Sequence, residues 1–498
     1  MSTSVWRKKP ISAYEADMKK SELRRVLGRW GLTSLGIGAI IGGGIFTLTG
    51  IAANNFAGPA LALSFVIAGV GCLFAALCYA EFASVLPVEG SAYAYAYGTI
   101  GELFAWFIGW NLILEYMMGA TTVAVAWSGY FEKLLHLFGM DMPIWIMNDP
   151  ISAGLKYKAL ADAGTMVTDP GFAFNLPAFL ITWVVTMILV KGIREAANTN
   201  NIIVIVKVAV VLFVIIAGVF YIDTANWTPF IPAEVIDDKG DSHFGWSGII
   251  TAATIVFFAY IGFDAVSTQA GEAINPKKDV PFAIIASLII CTVLYIAVSL
   301  VLTGMVHYTK MDLRAPVASA FAEAGITWAV YLITIAAVAG LTSVMLVMML
   351  GQTRIFLGMA KDGLLPKGLF GAIHPKFKTP WKSTIVVGLI ISIVAAFTPI
   401  NNVSELCSMG TLLAFAMISI AVWVLRVKEP NLERPYRVPL LPLVSILGAG
   451  FNFVLMYFTR YDTKIFFACW SALGILVYFL YSRNRSNLHK ESGGVIDK

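Results

Sequence analysis

The sequence predicts an all-α polytopic membrane protein of twelve transmembrane helices, ten of them in two five-helix repeats of opposite orientation, with two further helices after them. Three observations carry this prediction. Of the 498 residues, 58% are hydrophobic and 13% charged, with mean hydropathy +0.78; soluble domains are near half apolar and a quarter charged. Apolar runs of bilayer-crossing length, about 20 residues each, recur from residue 32 to 482 without a gap that could hold a soluble domain. Two of these runs, the first and the sixth, are interrupted at matching places of the two halves by glycine.

The runs lie at roughly 32–52, 59–86, 102–131, 173–190, 200–222, 246–270, 280–306, 326–353, 383–399, 403–425, 439–459 and 463–482. Only Thr398-Pro399-Ile400-Asn401-Asn402 separates the ninth from the tenth, so these two form a tight hairpin. An even number of spans puts both termini on one side. That side holds 26 of the 35 Lys and Arg, the other holds 8, and Lys207 lies within the fifth span. Positive charge stays cytoplasmic, so the prediction is a cell-membrane protein with cytoplasmic N- and C-termini. The expected organisation is a cytoplasmic segment over 1–31, a first five-helix repeat over 32–222, a second, inverted repeat over 246–425, helices 11 and 12 over 439–482, and a cytoplasmic tail over 483–498. The longest loop on the far side, 132–172, carries Pro143, Pro150 and Pro170 and reads as a surface excursion; loop 223–245 is acidic.

Other function classes find no support. The five cysteines, Cys72, Cys78, Cys291, Cys407 and Cys469, fall in apolar spans without metal or redox spacing and read as small buried hydrophobes. The five histidines sit in connections or tails, and no His/Cys/Asp cluster suggests a metal, a nucleophile or a cofactor. The net charge of +5 comes largely from cytoplasmic loops and implies no nucleic acid. The first 31 residues are polar and basic, and the run behind them is full length, which is not the pattern of a cleavable signal peptide.

The glycine interruptions are the most informative local feature. The first span reads Gly36-Ile37-Gly38-Ala39-Ile40-Ile41-Gly42-Gly43-Gly44-Ile45-Phe46, the sixth Phe257-Phe258-Ala259-Tyr260-Ile261-Gly262-Phe263-Asp264. Glycine weakens a helix, and unwound backbone is tolerable at membrane depth only where it is buried in protein or lines a cavity. Matched breaks in two halves point to a substrate site at the bilayer midplane.

Several motifs then appear in order: Gly38 to Phe46; Tyr79-Ala80-Glu81-Phe82-Ala83; Pro87-Val88-Glu89-Gly90-Ser91-Ala92-Tyr93; Gly109-Trp110-Asn111 to Glu115-Tyr116; Gly271-Glu272-Ala273-Ile274-Asn275-Pro276; and Arg354-Ile355-Phe356 to Asp362-Gly363-Leu364-Leu365-Pro366. Through them the chain resembles the amino acid–polyamine–organocation superfamily over residues 30 to about 430, most closely the cationic amino acid transporter branch and its bacterial relatives. The resemblance implies a LeuT-like fold and amino acid transport. It matches Ile40, Gly43 and Gly44 to carboxylate and ammonium contacts, and Phe258 to an aromatic gate. It matches Lys207 to a lysine standing where sodium sits in LeuT-type carriers, with its ammonium against carbonyls near Gly42 and hydroxyls of Thr342 or Ser343.

The residues support this independently, each with an alternative. Exposed N–H groups at Gly42, Gly43 and Gly44, at a half-helix start, can accept a carboxylate; close helix packing is the other reading. Carbonyls freed around Phe258, Ala259 and Ile261 can accept an α-ammonium, while Phe258 as plain core is the alternative. Lys207 lies roughly 10 Å into its span, where a charge is costly. Burial favours the neutral amine, which suits a proton carrier; snorkelling to the surface is the alternative. Glu115, roughly 20 Å into the third span, must be paired or protonated, as a structural group, a proton site or a support for the first break. Asp264 caps the second half-helix or contacts water and substrate. Met348 is core, or it limits the pocket to small or medium side chains. Tyr295 is a further pocket candidate.

The expectation is a proton-coupled L-amino acid symporter working by alternating access on small or medium neutral amino acids, with cationic ones left open. The alternative is an exchanger with Lys207 as a fixed cation. Substrate, proton and lipid bilayer are the expected partners. A channel, a sensor and an enzyme are disfavoured.

Overall fold

The computed structural model describes residues 7–10, 27–86, 91–164, 170–192, 196–236, 242–268 and 273–491. Readings that rest on Lys19, Lys20, Arg24, Arg25, Asp237, Asp238, Asp241, Gly271, Glu272, residues 87–90 and the last residues of the tail lie outside the described residues.

The long apolar runs become helices because lipid offers no partner for a backbone N–H or C=O. In chain order these are α1 (Arg29–Ile40), α2 (Leu61–Val85), α3 (Ser91–Thr99), α4 (Glu102–Leu137), α5 (Pro150–Asp162), α6 (Leu176–Lys191), α7 (Ala196–Gly218), α8 (Gly245–Val256), α9 (Pro276–Met305), α10 (Pro316–Glu323), α11 (Thr327–Lys361), α12 (Trp381–Phe397), α13 (Ile400–Lys428), α14 (Leu441–Phe458) and α15 (Tyr461–Val477). Among the described residues, nine helical stretches are long and apolar enough to cross a membrane. The first, Arg29–Val85, is 57 residues long and holds both α1 and α2. The shorter apolar helices α6 and α12 coincide with the fourth and ninth runs. Chain ends of helices follow local chemistry: Asn175 accepts the Ala178 N–H to cap α6, and Pro399 opens the turn between α12 and α13. Strand is confined, among the described residues, to the antiparallel pair β1 (Val235–Ile236) and β2 (Ser242–His243). The chain is a multi-pass membrane protein.

The core sits where α2 packs on α9 and α4 packs on α11 and α13. α1 lies against α9 and α7, and the sixth span lies across α2. The exposed apolar side chains fall on the outward faces, such as Ile205, Val293, Leu443, Phe466 and Leu480. Four of the cysteines are buried; Cys469 is exposed, on the outward face of α15, because that helix is packed on one side only.

Glu81 explains one of the sequence motifs. It is fully buried near the end of α2, where its carboxylate accepts from Arg426 and from the Val438 N–H at 2.8 Å, and it pairs with Arg434 at 3.4 Å. The group pins the connection after α13 against α2. Breaking a buried pair by deleting one partner costs about 3–5 kcal/mol, so Glu81→Ala is expected to lower the unfolding temperature in detergent by well over that of a surface Glu→Ala substitution such as Glu323→Ala. A thermal melt of both variants checks it.

Candidate functional site

The two glycine-bearing spans are both broken. α1 ends at Ile40, and Ile41 is extended (φ −72°, ψ 101°); a π-helical turn, Gly44–Leu48, restarts the helix. In the sixth span α8 tightens into a 3₁₀ turn, Phe257–Tyr260, then Ile261 is extended (φ −62°, ψ 131°) and Gly262 takes φ +126°. The breaks cross in contact. A Cβ on Gly44 would collide with Ala259. A Cβ on Gly262 would lie 2.8 Å from the Ala39 carbonyl carbon, at a φ that other residues rarely adopt. Glycine is required at both crossing points.

Freed carbonyls at the crossing are engaged by buried side chains. Tyr295 places its hydroxyl 2.9 Å from the Ile40 carbonyl and 3.0 Å from that of Ala259, one on each break. Since a hydroxyl carries a single proton, it donates to one of them at a time. Lys207 is buried and its ammonium donates to the carbonyls of Gly38 at 2.6 Å and Ile41 at 3.2 Å. Its stem lies along Gly340 of α11, where a Cβ would come within 2.6 Å of Lys207 Cδ. Tyr130 of α4 donates to the Phe46 carbonyl at 2.6 Å.

Of the two hydroxyls expected near Lys207, those of Thr342 and Ser343, the first is engaged elsewhere. Thr342 donates to the Val338 carbonyl at 2.8 Å and accepts from Trp127 Nε1 at 3.0 Å, because its own helix offers a carbonyl four residues back and α4 presents an indole. Ser343 is buried on the neighbouring position of α11. Gly42 faces Val344, 3.0 Å from its would-be Cβ. Gly43 has more room: its would-be Cβ stands 3.4 Å from Ala126, 3.7 Å from Leu341 and 3.9 Å from the Phe258 ring. The walls around Gly43 are therefore apolar, and Phe258 is buried beside it.

Glu115, Asp264 and Met348 form a second group, around α4, α11 and α13. Asp264 accepts the Tyr116 hydroxyl at 3.1 Å and the Gly262 N–H at 3.2 Å, so its carboxylate holds the turn of its own break. Glu115 is fully buried with Thr411 close to its carboxyl, and among the described residues neither carboxyl oxygen has a hydrogen bond of good geometry. Met348 is buried with its sulfur 3.5 Å from where a Cβ of Gly119 would be, in line with Cys407. α11 thus reaches Gly43 with Leu341, while Met348 fills the space against α4. Sequence reasoning missed Tyr116, Tyr130, Ala126 and Leu341; Tyr116 could have been found beside Glu115, but nothing in sequence marks the other three.

Comparison with known proteins decides the family. The profile of the family described as "Amino acid permease" matches residues 27–487. The chain belongs to the amino acid permease family. It is 44% identical to a methylthioribose transporter of Bacillus subtilis (strain 168) over 488 residues, 98% of this chain and 100% of that one. It is also 44% identical to the branched-chain amino acid permease BcaP of the same organism over 492 residues, 98% and 100% of the two chains. A vacuolar cationic amino acid transporter 4 of Arabidopsis thaliana is 37% identical over 411 residues, 82% of this chain and 64% of that one. This permease is a transporter, not an enzyme.

Phe258, buried beside Gly43, and Phe466, half-exposed on α15, form a matched pair for a test. Phe258→Ala is expected to cut uptake at least tenfold at unchanged protein level, Phe466→Ala less than twofold. Radiolabelled amino acid uptake into proteoliposomes measures both, and equal activity would remove Phe258 from the site.

Proposed function

We propose that this permease is a proton-coupled L-amino acid symporter of the cell membrane, with twelve spans, cytoplasmic termini and a LeuT-like arrangement of two inverted repeats. It works by alternating access. The observation that carries the reading is the buried Lys207 ammonium on the Gly38 and Ile41 carbonyls. An amine held on the break can transmit its protonation to it: losing the proton weakens two charge-assisted hydrogen bonds and frees the first span to move. Supporting this, Lys207 has apolar neighbours along its span and no carboxylate bonded to it among the described residues.

The substrate carboxylate meets the N–H groups of Gly43 and Gly44 at the start of the restarted helix, where the first N–H groups have no intrahelical acceptor. The α-ammonium meets the Ala259 carbonyl, since Tyr295 can donate to only one of its two acceptors. Ala126, Leu341 and Phe258 face the side chain, which favours small or medium neutral amino acids; one 44% identical relative is a branched-chain amino acid permease. The exchanger reading draws on the same bonds: a lysine with two carbonyl acceptors is also what a fixed cation requires.

Lys207→Met separates the two. The variant is expected to keep counterflow of labelled leucine in proteoliposomes and to lose accumulation driven by an inward proton gradient. Full accumulation by the variant would end the coupling mechanism, and a wild type that only exchanges would select the alternative.

Met348→Ser tests substrate range. It removes about three heavy atoms of side chain packed against α4 and adds a hydroxyl, with the Glu115 carboxyl nearby in the same group, so that room is opened behind the apolar walls. Arginine is expected to compete with labelled neutral amino acid about tenfold better in the variant; equal competition in both proteins would leave Met348 as core.

A further inference from the structure

A cavity of about 540 Å³ opens at the end of α4 remote from the termini. It is bounded by α4, by α5, and by the segment 309–315 that leads into α10. That segment rests on the second half of the broken first span. Gly50 packs against the Asp312 carbonyl and Pro316, and Asn54 donates to the carbonyls of Tyr308 and Thr309, both at 3.1 Å. The cavity therefore stands directly over the helix that leads down to Gly44.

Its charges are unevenly committed. Glu132 is paired with Arg314 and, at 3.5 Å, with Lys156. Burial and the neighbouring Arg314 push the Lys156 amine below the usual lysine value, with Glu132 opposing them. Arg314 also donates to Asn148 at 3.0 Å and to the Met147 carbonyl at 3.1 Å. Asp312 accepts the N–H groups of Arg314 and Ala315 at 2.7 and 2.8 Å. Asp141 is 2.6 Å from His136. Every acidic group on the wall is thus engaged, whereas Lys133 and Lys310 have no ion-pair partner among the described residues. The same lining also includes apolar, adaptable side chains, Met140, Met142 and Leu313.

We infer that this cavity is a docking site for the carboxylate of an amino acid with an apolar side chain, held by Lys133 and Lys310 before it passes to the broken helices. The inference rests on the transport reading above and on its orientation, with this face outside. Two ammonium groups without an ion-pair partner among the described residues draw a carboxylate, and methionines in the lining take an aliphatic chain without demanding one shape. The volume exceeds that of a single leucine, so the site captures loosely and releases quickly. Charge of this kind acts on association, and salt screens it.

The test uses the full chain in right-side-out vesicles of purely zwitterionic phosphatidylcholine, with labelled leucine as the probe. Lys133→Gln/Lys310→Gln is compared with wild type and with Lys158→Gln, which changes a lysine of α5 outside the cavity lining. The double variant is expected to raise the external KM about tenfold at low ionic strength with kcat unchanged. The difference should shrink as salt approaches molar levels, and the KM for efflux from the lumen should not move. Lys158→Gln should behave as wild type. An unchanged external KM overturns the inference. So does an equal rise in both directions, which would mean a general structural effect, and so does an effect seen only when anionic lipid is added, which would give the lysines to lipid headgroups. Failure of wild type to transport any amino acid would instead bring down the transport reading, and this inference with it.

Discussion

Within a bilayer every backbone group that leaves a helix has to be satisfied by the protein itself. In this permease two helices break where they cross in contact, so the problem arises twice in one place. The crossing is held by a handful of buried side chains: Tyr295 between Ile40 and Ala259, Lys207 on Gly38 and Ile41, Tyr130 on Phe46, and Asp264 on Gly262. The first three arrive from α9, α7 and α4, while Asp264 belongs to the broken sixth span itself. The positions of α4, α7 and α9 around the breaks are thereby tied to the same few carbonyls.

That arrangement joins stability to motion. Interhelical hydrogen bonds in membranes are individually modest, about 0.6 kcal/mol on average, so the crossing is stable as a set but no single bond locks it. An ionisable donor is different, because its charge-assisted bonds change with its proton. Lys207 is the group at the crossing that combines full burial with such a donor. At the two ends of the bundle the chain uses carboxylate–guanidinium groups instead: Glu81 with Arg426 and Arg434, Glu405 with Arg460, and Glu132 with Arg314. These sit in connections and helix ends, where each carboxylate is matched by a guanidinium that offsets the cost of burying it.

Much of the architecture was legible in the residues. Apolar length and glycine placement marked both breaks, and the lone lysine at Lys207 stood out because nothing around it in the chain is polar. The partner of that lysine was less legible. Of the two hydroxyls that looked suitable on type, that of Thr342 is claimed by Val338 on its own helix and by Trp127 of α4, while Ser343 is buried at the next position. The role of Tyr130 was invisible, since one tyrosine among eighteen carries no local signal. Likewise the walls beside Gly43 are Ala126 and Leu341 rather than Met348, a matter of which face of α4 and α11 turns inward.

The sequence by itself determined that the chain enters the membrane many times, and where its helices cannot continue, because hydropathy and glycine act on the chain locally. Only the tertiary structure decided which carbonyls the breaks expose to which side chains. That depends on Gly44 meeting Ala259 and Gly262 meeting Ala39 across more than two hundred residues of chain. It also depends on helix rotations that packing sets and that no single span can specify.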